Sequence, residues 1–421
     1  MKRSSGEQFG DRDFESESEP PPAAHRDLPA NQLRRLWAHI PELDGIRGLA
    51  ILAVVIHHFA EFRPAGGLQT VVRTIYNLGW CGVDLFFVLS GFLITGILLD
   101  TLESPDYFGS FYGRRVLRIF PLYYTFLLLY FHGAVPLAHA LGKWPEVNAD
   151  AEGWFWLYLQ NWKAVMGDEP MNITHFWSLA VEEQFYLVWP TVVYFVGQRR
   201  LQWICLGMIV GALALRCFWH AGPSGEVLYM ATVTRMDSLA VGALAAILVR
   251  NGKPLETLRR RLGAIAAAAG GGFAALFVGL FVAGARTDHS APYIRTWGYS
   301  LLGTTFACLV AYCAINSRTG NPVCVLMRSG FLTRLGKYSY CIYIVHMIIA
   351  YFFLRAAHNV SAALGPASNL PLSWLSAAAG LAASYGVALV SWNLLEKRCL
   401  ALKRYFPYSL GEKMHQPNML H

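Results

Sequence analysis

Arg47 and His58 stand eleven residues apart in the run LDGIRGLAILAVVIHHF. At 100° per residue this separation returns to within about 20° of the same helix face after a rise of about 16 Å, whereas His57 turns about 80° away. A neutral imidazole on such a stripe can take a proton from a hydroxyl or carry an acyl group itself, and a guanidinium at the other end can hold an anion. Ionisable groups in an apolar helix mark either function or partnered packing, and a same-face arginine favours function.

Other stretches carry similar groups. In GVDLFFVLSGF, Asp84 lies near the start of the following apolar run, where an antiparallel neighbour would bring it to the level of His58. It then either holds the His58 ring and selects its tautomer or caps its own helix. The segment FYGRRVLRIFPLYY supplies Arg114, Arg115 and Arg118. Arg115 and Arg118, at i and i+3, share a face suited to phosphate, although the segment taken alone reads first as a plain positive anchor at the membrane surface. In THFWSLAVEEQFYLVWP, Ser178, Glu182 and Tyr186 fall on one face, with Glu183 beside them. A carboxylate there is too costly for a purely structural use. Arg235 and Asp237 in RMDSLAVG, and Tyr338, Tyr340 and His346 in YSYCIYIVH, are expected to form internal ion pairs or hydrogen-bond sets.

Positioning these residues falls to membrane helices. Of 421 residues, 55% are hydrophobic and 15% charged, against about 25% charged in soluble domains, and the mean hydropathy is +0.35. Ten runs are long enough to span, at roughly 46–64, 80–99, 119–140, 176–197, 203–219, 229–250, 262–284, 297–315, 338–357 and 372–395. The fold expected is all-α, a polytopic bundle of about ten transmembrane helices. The stretch Trp154 to Tyr158 is too short to span and is expected to be a surface or re-entrant helix.

The excess of 35 Lys and Arg over 27 Asp and Glu lies in short clusters between apolar runs, a pattern of membrane orientation and not of nucleic-acid binding. With both termini cytoplasmic, the outer side keeps only Arg63, Arg73, Lys143, Lys163, Arg286, Arg295 and Arg355. Residues 1–36 are expected to form a disordered cytoplasmic tail without a signal peptide, 37–400 the membrane domain and 401–421 a second tail. The eight cysteines show no CxxC spacing and suggest helix packing, with neither disulfide framework nor metal site. No internal repeat supports a transporter built of two similar halves.

Taken in order and spacing over about 37–400, LDGIRGLAILAVVIHH, GVDLFFVLSGFLI, RRVLRIFPLYY, FWSLAVEEQFYLVWP, RMDSLAVG and YSYCIYIVH resemble the membrane acyltransferase 3 family. The resemblance implies a bacterial inner-membrane enzyme that moves acetyl or related groups from acyl-coenzyme A to hydroxyls of saccharides or other envelope or lipid-linked acceptors. It matches Arg47 and His58 to the family's first-helix pair, Arg115 and Arg118 to its cytoplasmic arginine motif, and Glu182 to its acidic position. Arg115, Arg118 and Arg47 would then hold coenzyme phosphates, with His58 as general base or covalent carrier, Asp84 as its orienting partner, and Ser178 and Tyr186 against substrate. No permanently bound cofactor or metal is expected. The chain ends shortly after its last span, so it is expected to act alone or to hand its product on. The rival is a proton-coupled transporter or flippase, separated from the enzyme by whether acyl-CoA is consumed.

Overall fold

The computed structural model describes residues 40–59, 66–141, 151–167, 171–219, 225–251, 254–365 and 369–408. The tail expected over 1–36, and residues beyond 408, lie outside them. No strand occurs among the described residues, and the architecture is an all-α bundle. The principal helices are α1 Pro41–Phe59, α2 Gly67–Asn77, α3 Cys81–Asp100, α4 Tyr107–Leu129, α5 Trp177–Val196, α6 Gln198–Phe218, α7 Thr232–Arg250, α8 Leu255–Val282, α9 Tyr299–Ile315, α10 Gly330–Leu364 and α11 Asn369–Ser391.

Each of the ten expected spans falls on one of these helices. Eight continuous helical stretches among the described residues are long and apolar enough to cross a bilayer. The two expected spans outside that group are α1, with 19 residues, and α5, with 20, which carry Arg47, His57 and His58 and Glu182 and Glu183 respectively. Packing accounts for their polarity: α1 is enclosed by α3, α9, α10 and α11, and a helix walled by protein need not be apolar all round. At the opposite extreme, α8 has only 6% of its apolar window buried and presents itself to lipid.

Several boundaries differ from those the hydropathy pattern suggests. Helix α4 starts at Tyr107 and not near 119, so Arg114, Arg115 and Arg118 sit on a helix that continues the span. Helix α2, which no apolar run announces, carries Leu68, Val71 and Ile75 on its exposed face and turns through Leu78–Trp80 into α3. The Trp154–Tyr158 stretch is not superficial. Glu152–Trp156 forms a short helix with Phe155 buried, and Tyr158 is buried beyond it. Tyr123 Oη donates to the Phe155 carbonyl at 2.8 Å and Gln184 Nε2 to that of Tyr158 at 2.8 Å. Those partners allow irregular backbone to enter the bundle.

The central contact is between α1 and α10. A Cβ on Gly48 would overlap the Leu332 carbonyl, and one on Gly336 would overlap that of Asp44. Glycine at both positions lets the two backbones touch, as small residues do where membrane helices pack closely. This approach sets the site, because α1 carries His58 and α10 carries His346.

Candidate functional site

Two cavities open on the α1–α10 pair at different heights. The first, about 100 Å³, is lined by Arg47 of α1, Arg115 and Arg118 of α4, and Ser178, Glu182, Glu183 and Tyr186 of α5. It also touches Ser90, Phe86 and Val83 along α3 and Tyr340 and Tyr343 of α10, so it follows the α3 face for about two turns. The structure thus brings together eight of the residues singled out from sequence: Arg47, Arg115, Arg118, Ser178, Glu182, Glu183, Tyr186 and Tyr340. Within it Ser90 Oγ donates to Glu182 Oε1 at 2.8 Å, Tyr186 Oη lies 3.4 Å from Glu182 Oε2, and the Arg115 guanidinium sits 5.4 Å from the Tyr186 ring centroid. Arg47 Nη1 pairs with Asp44 at 2.7 Å.

His58 is not in that cavity. It lines the second one, about 320 Å³, together with His57, Arg73, Asn77, Met347 and Tyr351. Eleven residues of helix separate Arg47 from His58, and the shared stripe places them at opposite ends of one axis.

A row of imidazoles leads from the second cavity toward the first. The His175 and His346 ring centroids are 4.8 Å apart, His346 and His58 5.0 Å, and His58 and His57 4.9 Å. His346 Nδ1 lies 2.7 Å from the Tyr343 carbonyl, which can only accept, so in a neutral ring Nδ1 carries the proton and Nε2 the lone pair. That Nε2 is 3.4 Å from His58 Nδ1, which itself lies 2.9 Å from the Val54 carbonyl. His58 is therefore Nδ1-protonated when neutral, and its Nε2 is the basic nitrogen. Tyr343, one turn before His346, reaches the arginine cavity. Its Oη donates to the His175 carbonyl at 2.9 Å and lies 2.5 Å from Ser178 Oγ. His346 is fully buried between His58 and His175.

The expected pairing of Asp84 with His58 is overturned. Arg235 Nη2 donates to Asp84 Oδ1 at 2.7 Å and Ser238 Oγ donates to the same oxygen at 3.0 Å, with Asp84 and Arg235 both fully buried. The physical reason is charge: a buried carboxylate is stabilised far more by a guanidinium than by a neutral ring. The Val54 carbonyl takes over the tautomer-selecting task. Arg235 lies 4.1 Å from the Tyr299 ring centroid and 5.0 Å from that of Tyr229, and Asp237 pairs instead with Arg216 at 2.7 Å. Internal ion pairs were expected for Arg235 and Asp237, and they form with other helices.

Three contributors escaped the sequence reading. His175 precedes α5 in the THFWSL segment, but nothing in its spacing points to His346. Tyr343 is hidden among other aromatics of α10. Lys403 lies far along the chain. Arg114 Nε donates to the Phe406 carbonyl at 2.6 Å, Ser110 Oγ donates to that of Pro407 at 2.7 Å, and Arg114 lies 4.4 Å from the Tyr408 ring centroid. These contacts fold the segment after α11 beneath α4, where Lys403 experiences the charges of Arg47, Arg114, Arg115 and Arg118.

Residues 40–392 match the acyltransferase domain that defines the acyltransferase 3 family. The chain belongs to that family. It is 29% identical over 330 residues to YrhL of Bacillus subtilis (strain 168), provisionally named a peptidoglycan O-acetyltransferase; the match covers 73% of this chain and 48% of YrhL. It is 31% identical over 228 residues to the peptidoglycan O-acetyltransferase OatA of Listeria monocytogenes, covering 49% of this chain and 34% of OatA. A provisionally named O-acetyltransferase of Staphylococcus aureus (strain COL) is 27% identical over 340 residues, covering 75% of this chain and 51% of that protein. The chain thus spans about half the length, or less, of these curated relatives. No solved structure matches it.

Proposed function

We propose that the chain is a membrane O-acyltransferase of the bacterial cytoplasmic membrane, moving an acetyl group from acetyl-coenzyme A to a saccharide hydroxyl. The observation that carries this is a row of imidazoles that runs from His58 in one cavity to Tyr343 on the wall of the other, which holds the guanidinium groups. The relatives' names supply acetyl as the group and a cell-wall saccharide as the acceptor.

In this scheme Arg115, Arg118, Arg47 and Lys403 meet the coenzyme phosphates at the cytoplasmic end. The pantetheine arm lies along the first cavity past Glu182, Tyr186 and Ser178, bringing the thioester to Tyr343. Displacement of the His346 ring joins the two cavities. His58 Nε2 takes the proton of the acceptor hydroxyl, the oxygen attacks the thioester carbonyl, the C–S bond breaks, and the imidazolium returns its proton to the departing thiolate. Asp84 acts from a distance, by fixing Arg235 and hence α3 against α7.

Arg115→Ala and Arg118→Ala are each expected to raise the Kd for acetyl-CoA about tenfold or more, since a charge-assisted hydrogen bond contributes about 1.5–3 kcal/mol. Lysine at either position should restore binding only in part, because the two-pronged contact is lost. Unchanged affinity in both alanine variants, measured on folded protein, would remove the donor assignment.

Orientation is a separate expectation, drawn from the basic clusters. In a cysteine-depleted chain, Glu103→Cys should resist an impermeant thiol reagent in intact cells while Ala285→Cys reacts. The reverse labelling pattern would turn the protein over in the membrane.

A further inference from the structure

The histidine cavity has one wall that the reaction scheme leaves unused. Helix α2 turns two faces in opposite directions: Leu68, Val71 and Ile75 point outward and are well exposed, and Arg73 and Asn77, one turn apart, line the cavity. Two residues of helix separate Val71 from Arg73, a rotation of 200°. The cavity's volume of about 320 Å³ is at the lower end of the range for sites that hold small organic ligands, about 300–1,000 Å³.

Charge gives the cavity its character. Among the described residues no carboxylate lies within ion-pair distance of Arg73. Tyr351, which also lines the cavity, receives a hydrogen bond at 3.0 Å from Nη1 of Arg355. The basic-residue distribution leaves few cations on the outer side, and Arg73 is one of them. A guanidinium within a cavity that also holds a basic imidazole is a poor neighbour for a cation and a good one for an anion.

We propose that this cavity is the acceptor site and that it takes a saccharide bearing an anionic group, a carboxylate or a phosphate, which Arg73 holds while a neighbouring hydroxyl meets His58. The assignment rests on the acyl-transfer reading for the meaning of "acceptor", but the binding preference does not. Asn77 and Tyr351 supply neutral hydrogen-bond partners for sugar hydroxyls, and Met347 and Leu354 supply an apolar wall. The exposed apolar stripe of α2 rests in the outer leaflet, and the opposite face of the same helix holds the sugar.

The test uses the full chain in phosphatidylcholine nanodiscs and two probes. One is neutral chitotetraose, and the other a tetrasaccharide of alternating N-acetylglucosamine and glucuronate. Binding is followed by intrinsic fluorescence without any acyl donor. The wild type should bind the anionic probe about tenfold to a hundredfold more tightly than the neutral one, the range expected for a charge-assisted contact. Arg73→Gln should collapse that ratio toward one, and Arg73→Lys should keep part of it. Arg286→Gln, which removes an outer cation that does not line the cavity, should leave the ratio intact. A wild-type ratio near one, or a ratio that survives Arg73→Gln, overturns the proposal. So does loss of the preference when phosphatidylglycerol is added to the nanodiscs, because the guanidinium would then be serving a lipid headgroup. Folding of Arg73→Gln is checked by its binding of acetyl-CoA at the other cavity. Preference without acyl transfer would overturn the enzymatic reading alone, whereas transfer without preference would overturn only this one.

Discussion

Replacing His58 by alanine should lower acyl transfer by about 10²–10⁴-fold, the usual contribution of a general base, while His57→Ala retains most of it. Both imidazoles line the same cavity, so mere presence there does not separate them. What does is the hydrogen bonding: His58 Nδ1 is engaged by the Val54 carbonyl and lies within 3.4 Å of His346 Nε2, which leaves Nε2 of His58 as a defined basic atom. The His57 ring is held differently: its Nδ1 is buried without a hydrogen-bond partner among the described residues, and the ring is engaged by the backbone of Tyr76. Purified variants that bind acetyl-CoA normally are the material for the comparison. Wild-type turnover by His58→Ala would exclude it as the base, and a folded but inactive His57→Ala would transfer the role to its neighbour.

The second large effect concerns Asp84, whose sequence position suggests catalysis and whose partners suggest architecture. Asp84→Ala leaves the Arg235 guanidinium fully buried among Phe87, Trp177, Tyr229 and Tyr299 with no counter-charge. Removing one partner of a buried pair costs about 3–5 kcal/mol. The folded yield and the thermal midpoint in detergent should both fall sharply. Removing both charges together, as Asp84→Leu with Arg235→Met, should recover much of the loss, because an apolar pair of similar volume is often no worse than the ion pair. An Asp84→Ala protein as stable as the wild type yet inactive would restore the carboxylate to the chemistry.

Helix content and the grouping of residues along single helix faces were legible in the sequence because both depend on local patterns. Apolar runs of the right length placed all ten expected spans on helices, and i, i+4, i+8 spacing put Ser178, Glu182 and Tyr186 on one cavity wall. Pairings between distant segments were not legible. Asp84 was matched to His58 by depth alone, but depth does not specify which of several helices lies alongside, and the nearer charge on α7 took the carboxylate. His175 stayed unseen for a related reason: it precedes α5, and its importance comes from a ring on α10 more than 150 residues away. The polarity of α1 and α5, which obscures them as spans, is intelligible once both are seen to face protein.

The backbone contact between α1 and α10 has a mechanical consequence. Bilayers differ in thickness, and helices adapt by tilting or by distorting the lipid around them, at a modest cost per ångström. A peripheral helix such as α8, 28 residues long and facing lipid, can absorb that mismatch by changing its inclination. The α1–α10 seam has no layer of side chains at Gly48 or Gly336 to compress or slide, so the spacing of the His58 and His346 rings is decoupled from the tilt of the outer helices. Changes in acyl-chain length or sterol content of the surrounding membrane would then reorient the rim of the bundle and leave its imidazole row in register.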